Sequence, residues 1–188
     1  MSYQFTTAMI YNRGAPPVAF LDELVMWAKF ADDDVFTPND NIDIYAKYSP
    51  VLGPWTTLSQ RKAGMMEILR VLAGYESSWS WQAGADSDNP DHSPETTETG
   101  IFQVSANSMA FGDLEKRVFL RFGSTDPDIF IREMKTDTFF AIDYAARLLR
   151  LTIKANGPVL HDDLASDDKR YLHHWLSPSA MNEFMALI

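Results

Sequence analysis

The 188-residue sequence contains no cysteine. Disulfides, thiol nucleophiles and thiolate metal sites are thereby excluded. Positive charge is also scarce: 16 Lys and Arg stand against 26 Asp and Glu, for a formal net charge of −10. Such a balance repels the phosphate backbone, so nucleic acid is not an expected partner. It gives no long-range attraction to any other anionic polymer either, and binding one would depend on a local cleft. No apolar run is long enough to span a membrane. The opening "MSYQFTTAMIYNRGAPPVAF" lacks the basic start and continuous apolar stretch of a Sec-type signal. Gly-x-Ser-x-Gly, a phosphate-binding glycine loop and internal repeats are all missing.

Apolar material is plentiful: 46% hydrophobic residues with 13% aromatics suffice for one sizeable core, so residues 1–188 are expected to form a single domain. Within it, 1–57 read as an N-terminal helix followed by an irregular packing segment. "VAFLDELVMWAKFA" follows Pro16 and Pro17 and places Leu21, Leu24, Val25 and Ala28 on one side. Residues 32–57 carry acids, Asn, Gly, Pro38, Pro50 and Pro54, which predicts little regular structure. A central helix is predicted over 58–76, with Ser59 as a cap and Met65, Met66, Leu69, Leu72 and Ala73 at helical spacing. Residues 77–100 favour turns or a short hairpin, with "IFQV" as a last strand or an extended turn. Helices are predicted over 109–121, 127–135 and 138–153, capped within "STDPD" and "KTDT", and two short ones about Pro178. The expected fold class is therefore mainly α, or α+β, with a small β element.

One residue breaks the pattern. Met65, Leu69, Leu72 and Glu76 are spaced by four, three and four, so a carboxylate continues the apolar face of the central helix. Desolvation and the negative end of the helix dipole would both raise its pKa, the direction a general acid requires. On spacing alone, a solvated or ion-paired residue at a helix end is the more ordinary reading of Glu76.

The surrounding "GYESSW" and the downstream "ETGIFQVS" resemble the lysozyme-like superfamily, especially lytic transglycosylases and goose-type lysozymes. In that family a catalytic Glu ends a helix, is commonly followed by Ser, and precedes a Gly-x-x-Gln motif; Glu76, Ser77, Gly100 and Gln103 stand at those positions. "DTFFAIDYAARLLR" is similar to the family's next helix, and "ANGPV" to its Asn-Ala-Gly segment. Ala155 stands where many members carry Tyr, which leaves that aromatic role unassigned, with Tyr171 a candidate for it.

The resemblance implies a lysozyme-like helical domain with its β element beside an active-site cleft, and cleavage of the MurNAc-GlcNAc strand of peptidoglycan. Glu76 would be the proton donor, with Ser77 or Ser78 orienting the acid or substrate and Gly100 and Gln103 at the N-acetyl sugar. The serines could instead cap the helix. Glu95, Glu98, Asp86 and Asp88 border the cleft as candidate water-activating acids, with Glu98 preferred. A lytic transglycosylase needs no such base, because the sugar's own hydroxyl attacks. Without an export signal, the resemblance implies delivery by a non-Sec route such as type VI secretion, or a phage lysin. The target would be another bacterium's periplasm or cell wall. A dedicated immunity protein would then be the inhibitor.

Two other classes stay open, an inactive lysozyme-like module that binds glycan or protein and a chitin-cleaving relative. No cofactor is required. In "DSDNPD", Asp86, Asp88 and Asp91 could hold calcium or form a solvated acidic turn, while the adjacent His173 and His174 make a poor metal pair. Trp79 and Trp81 could stack on sugars or close the core.

Overall fold

The computed structural model describes residues 2–39, 43–84 and 93–188. Among these, eight α-helices account for the architecture: α1 (Val18–Phe30), α2 (Ile44–Leu52), α3 (Leu58–Ser77), α4 (Leu114–Phe122), α5 (Pro127–Thr136), α6 (Thr138–Leu151), α7 (Gly157–Leu160) and α8 (Pro178–Leu187). Three short 3-10 turns cover Asp33–Val35, Ala106–Ala110 and Leu172–Trp175.

Helix α3 is the axis of the fold. Its start is fixed by a reciprocal capping box, in which Thr57 accepts from the Gln60 N–H and the Gln60 side chain accepts from the Thr57 N–H. The cap is thus Thr57 rather than Ser59. Every residue from Ala63 to Gly74 is buried, so this helix is enclosed all round by α1, α6, α7 and α8 instead of presenting one apolar stripe. Enclosure brings two charges inside. The Arg70 guanidinium grips both oxygens of Glu67 at 2.7 Å and also donates to the carbonyls of Trp175 and Ala8. Ser177 N–H completes the carboxylate at 2.8 Å. One buried pair therefore joins the N-terminal segment, α3 and the approach to α8.

The N-terminal segment is anchored a second time. Consecutive N–H groups of Gln4, Phe5 and Thr6 donate to the Glu183 carboxylate at 2.6–2.9 Å, and this nest holds Glu183 below its usual pKa.

Three further expectations need correction. The stretch 32–57 is not mainly irregular: it contains α2, whose cap Asp43 accepts from Tyr45 and Ala46 and is itself held by Arg150 of α6 at 2.6 Å. Arg150 also donates to the carbonyls of Val35 and Thr37, so a buried cation supplies hydrogen bonds that the local sequence cannot. The β element is not seen among the described residues, where the only pairings are isolated bridges, Ile10 with Gly14 and Thr99 with Val104. "IFQV" forms a tight turn because Gly100 and Gln103 have φ of 69° and 47°, values incompatible with a strand. Helix α4 likewise begins at Leu114, after Gly112 at φ 56° breaks the predicted 109–121 run.

Candidate active site

Helix α3 ends by reversing sharply. Ser78 and Trp79 both take left-handed backbone, with φ of 53° and 60°, and their N–H groups return to the carbonyls of Gly74 and Ala73. The reversal folds the Trp79 ring onto Gly74, where a Cβ would lie 2.7 Å from the ring. Its indole N–H donates to the Arg70 carbonyl at 2.9 Å. Trp79 is thus a core residue, and Trp81 lies half-buried near Phe20 with ring centroids 6.0 Å apart.

Glu76 sits in the last turn of α3, only partly exposed. Its one direct side-chain partner among the described residues is neutral: Asn156 Nδ2 donates to Oε1 at 2.9 Å. The orientation of that amide is set by α7, because Asn156 Oδ1 caps the helix by accepting from Val159 N–H at 3.1 Å. With no cation in contact, burial dominates and pushes Glu76 up to about 8; the Asn156 hydrogen bond opposes this, the nearby Glu98 charge adds to it, and Arg13 opposes it. Burial thus favours the protonated form of Glu76.

A groove of about 580 Å³ runs beside it, lined by Glu98, Gln103, Ser105, Lys154, Ala155 and His161 among others. Glu76 is not part of that lining. It is tied to the groove wall through Asn156, which stands in the chain between lining residues Ala155 and Gly157, and the charge of the lining residue Glu98 acts on it.

The residues expected around Glu76 divide by what they touch. Ser77 Oγ donates to the Ile101 carbonyl at 2.8 Å and accepts from Ser80 N–H, clamping the helix end to the 99–104 turn. Ser78 is the exposed C-cap. Gly100 is buried; its φ and a Met134 carbonyl 2.7 Å from any added Cβ both demand glycine, so it shapes the turn without facing the groove. Gln103 does line the groove, and its Nε2 closes the turn on the Gly100 carbonyl at 2.8 Å. Glu95 is exposed, its carbonyl accepting from Asn107 N–H. Asp86, Asp88 and Asp91 lie outside the described residues, and among the described residues no cluster of three His, Asp or Glu could hold a metal. The Tyr171 ring stacks against His173, with centroids 6.2 Å apart, and its carbonyl accepts from the Tyr75 hydroxyl at 3.2 Å.

Two neighbours carry more weight than the sequence indicated. Asn156 belonged to "ANGPV", but its contact with Glu76 spans 80 positions of chain. The available signal was an Asn followed two residues later by Pro, a helix-start pattern. Arg13 gave no signal at all. A separate groove of about 370 Å³ between α1, α4 and α6 is lined by Arg117, Arg121 and Arg147, each paired with aspartates.

No protein-family model, curated protein or solved structure matches this chain.

Proposed function

We propose that this protein is a lysozyme-like enzyme that cleaves the glycan strand of peptidoglycan, with Glu76 as general acid. What supports the reading is the acid itself: a partly exposed carboxyl whose pKa burial raises, oriented by a neutral amide whose chain neighbours line a groove. In this reading Glu76 gives its proton to the glycosidic oxygen as the bond to the anomeric carbon breaks. The leaving sugar departs as an alcohol, and positive charge develops on the other ring. Asn156 then stabilises the carboxylate left behind, since its N–H already points at Oε1.

The second step divides the reading. Glu98, on the groove wall and electrostatically coupled to Glu76, is the candidate base that takes a proton from an attacking water. If the sugar's own hydroxyl attacks instead, an anhydro product forms and Glu76 recovers its proton from that hydroxyl. Gln103 is the candidate contact for an N-acetyl group, and Ser77 and Gly100 act by holding the turn that carries it. The resemblance extends the proposal to an antibacterial toxin delivered by a type VI route and restrained by an immunity protein that fills the groove.

Mass spectrometry of fragments released from purified peptidoglycan by wild type and Glu76→Gln tests this. Reducing-end muropeptides from wild type alone indicate hydrolysis, and anhydro muropeptides indicate transglycosylation. Release of no fragments by a folded wild type that binds the strands would replace the enzyme with a glycan-binding module. Parallel digestion of chitin separates the chitin-cleaving class.

A further inference from the structure

We propose that Arg61 and Trp55 form a second ligand site, separate from Glu76, which takes an oxyanion attached to a ring. Both residues line a groove of about 300 Å³ between α2, the turn that follows it and the start of α3, together with Tyr45 and Pro54. Arg61 stands near the beginning of α3 and Glu76 in its last turn, roughly 20 Å apart along the helix axis. The groove is therefore distinct from the one beside Glu76.

Arginine in this chain is usually committed to an internal carboxylate, as Arg70, Arg117, Arg147 and Arg150 are. Arg61 has none among the described residues. Its Nε donates to the Phe36 carbonyl and its Cζ lies 3.9 Å from the centroid of the Tyr45 ring. That ring is itself fixed, because Tyr45 is buried and its hydroxyl donates to the Arg61 carbonyl at 2.7 Å. The one acid in the groove lining, Asp43, is already taken by Arg150 Nε at 2.6 Å and by the N–H groups of Tyr45 and Ala46. Arg150 lies against the same Tyr45 ring, 4.9 Å from its centroid, and adds a second positive charge. The two Nη groups of Arg61 are left accessible, without a protein acceptor among the described residues. A guanidinium so held presents its fork at little further ordering cost, and two parallel N–H groups suit the paired oxygens of a carboxylate or phosphate.

The ring requirement comes from Trp55. Its indole meets Tyr45 edge-on, with centroids 5.0 Å apart, and its Nε1 side packs on α3, where a Cβ at Gly64 would lie 2.7 Å away. Nε1–H is directed to Met181 Sδ at 3.3 Å. With that edge committed, the half-buried indole and the exposed Pro54 ring offer apolar surface beside the cation.

Titration of the isotope-labelled full chain, followed through the Trp55 indole and Arg61 side-chain resonances, tests the site. Benzoate and glucuronate supply a carboxylate, phenyl phosphate supplies a phosphate, and benzamide and glucose are the neutral counterparts. Charged probes are expected to shift both resonances saturably and to bind at least about tenfold tighter than neutral ones. Arg61→Gln is expected to weaken them by about 10–100-fold, and Arg61→Lys, which keeps the charge without the fork, by less. Saturation by carboxylates alone or by phenyl phosphate alone assigns the source of the oxyanion. Inorganic phosphate binding as tightly as phenyl phosphate would remove Trp55 from the proposal. Equal affinity for charged and neutral probes, unaltered affinity in a folded Arg61→Gln, or no saturable shift with any probe overturns it. If Arg61→Gln does not fold, wild type decides: shifts at both resonances from charged probes alone support the site, and shifts that bypass Arg61 refute it. Glu76→Gln should bind the probes as wild type does, and a loss of affinity there would refute a separate site.

Discussion

Glu67 and Glu76 stand on the same helix, and burial raises the pKa of both. Glu67 lies in the enclosed middle of α3, with a bidentate guanidinium and a backbone N–H taking up its oxygens. Glu76 lies in the last turn, with one amide, a like charge nearby and a groove alongside. A buried carboxylate met by a cation is a fastening, because its proton and charge are committed to the fold. One that keeps partial exposure and lacks a cation in contact holds a proton it can give away. A raised pKa alone does not distinguish these roles; the partners do.

The comparison breaks most visibly in activity. Glu76→Gln is expected to lower fragment release by about 10²–10⁴-fold while the protein stays folded, as read by mass spectrometry and circular dichroism. Loss of folding in this variant would put Glu76 in the same class as Glu67. The reverse holds for the buried pair: Arg70→Met leaves the Glu67 carboxylate uncompensated and is expected to cost about 3–5 kcal/mol in urea denaturation. Replacing both, as Glu67→Met with Arg70→Leu, should recover much of that loss. A single substitution as harmless as the double would show that the pair does not fasten the segments it joins.

The pH dependence of stability sharpens the contrast further. Glu76 carries its proton more tightly in the folded state, about 8 against an ordinary 4.5, so its stabilising share is complete below pH 4.5. That share declines by at most about 1.4 kcal/mol per pH unit as pH rises toward 8. The difference in unfolding free energy between wild type and Glu76→Gln should therefore slope across that window and flatten outside it.

Smaller effects tune the same acid. Asn156→Ala removes a hydrogen bond that favours the charged form, so the alkaline limb of activity should move upward, while the lost α7 cap costs about 1 kcal/mol. If the sugar's own hydroxyl attacks, so that Glu98 is not the base, Glu98→Gln removes a like charge and should move that limb downward. Shifts of the same sign in both variants would contradict the assignment of their effects to Glu76.

Much of the scaffold could be read from local chemistry. The helices at 18–30, 58–77, 127–136 and 138–151 follow from apolar spacing and from capping residues such as Asp126 before Pro127. Helix α2 was hidden because Pro50 and the polar residues around it are poor helix signals, whereas its cap depends on Arg150, far along the chain. The turn at 99–104 was open between strand and turn because nothing in "IFQV" itself requires Gln103 to adopt positive φ; the clamp from Ser77 and the close passage of Met134 impose it.

By itself the sequence determined that this is a mainly helical protein with one sizeable core, that cysteine chemistry is absent, and that an acid interrupts an apolar face at position 76. Hydrophobic spacing and capping are nearest-neighbour properties, so they survive in one dimension. Only the tertiary structure decided which partners surround each buried carboxylate, and a pKa depends on what surrounds the group in space. Glu67 received Arg70 from the next turn of its own helix, whereas Glu76 received Asn156, Glu98 and Arg13 from three distant parts of the chain.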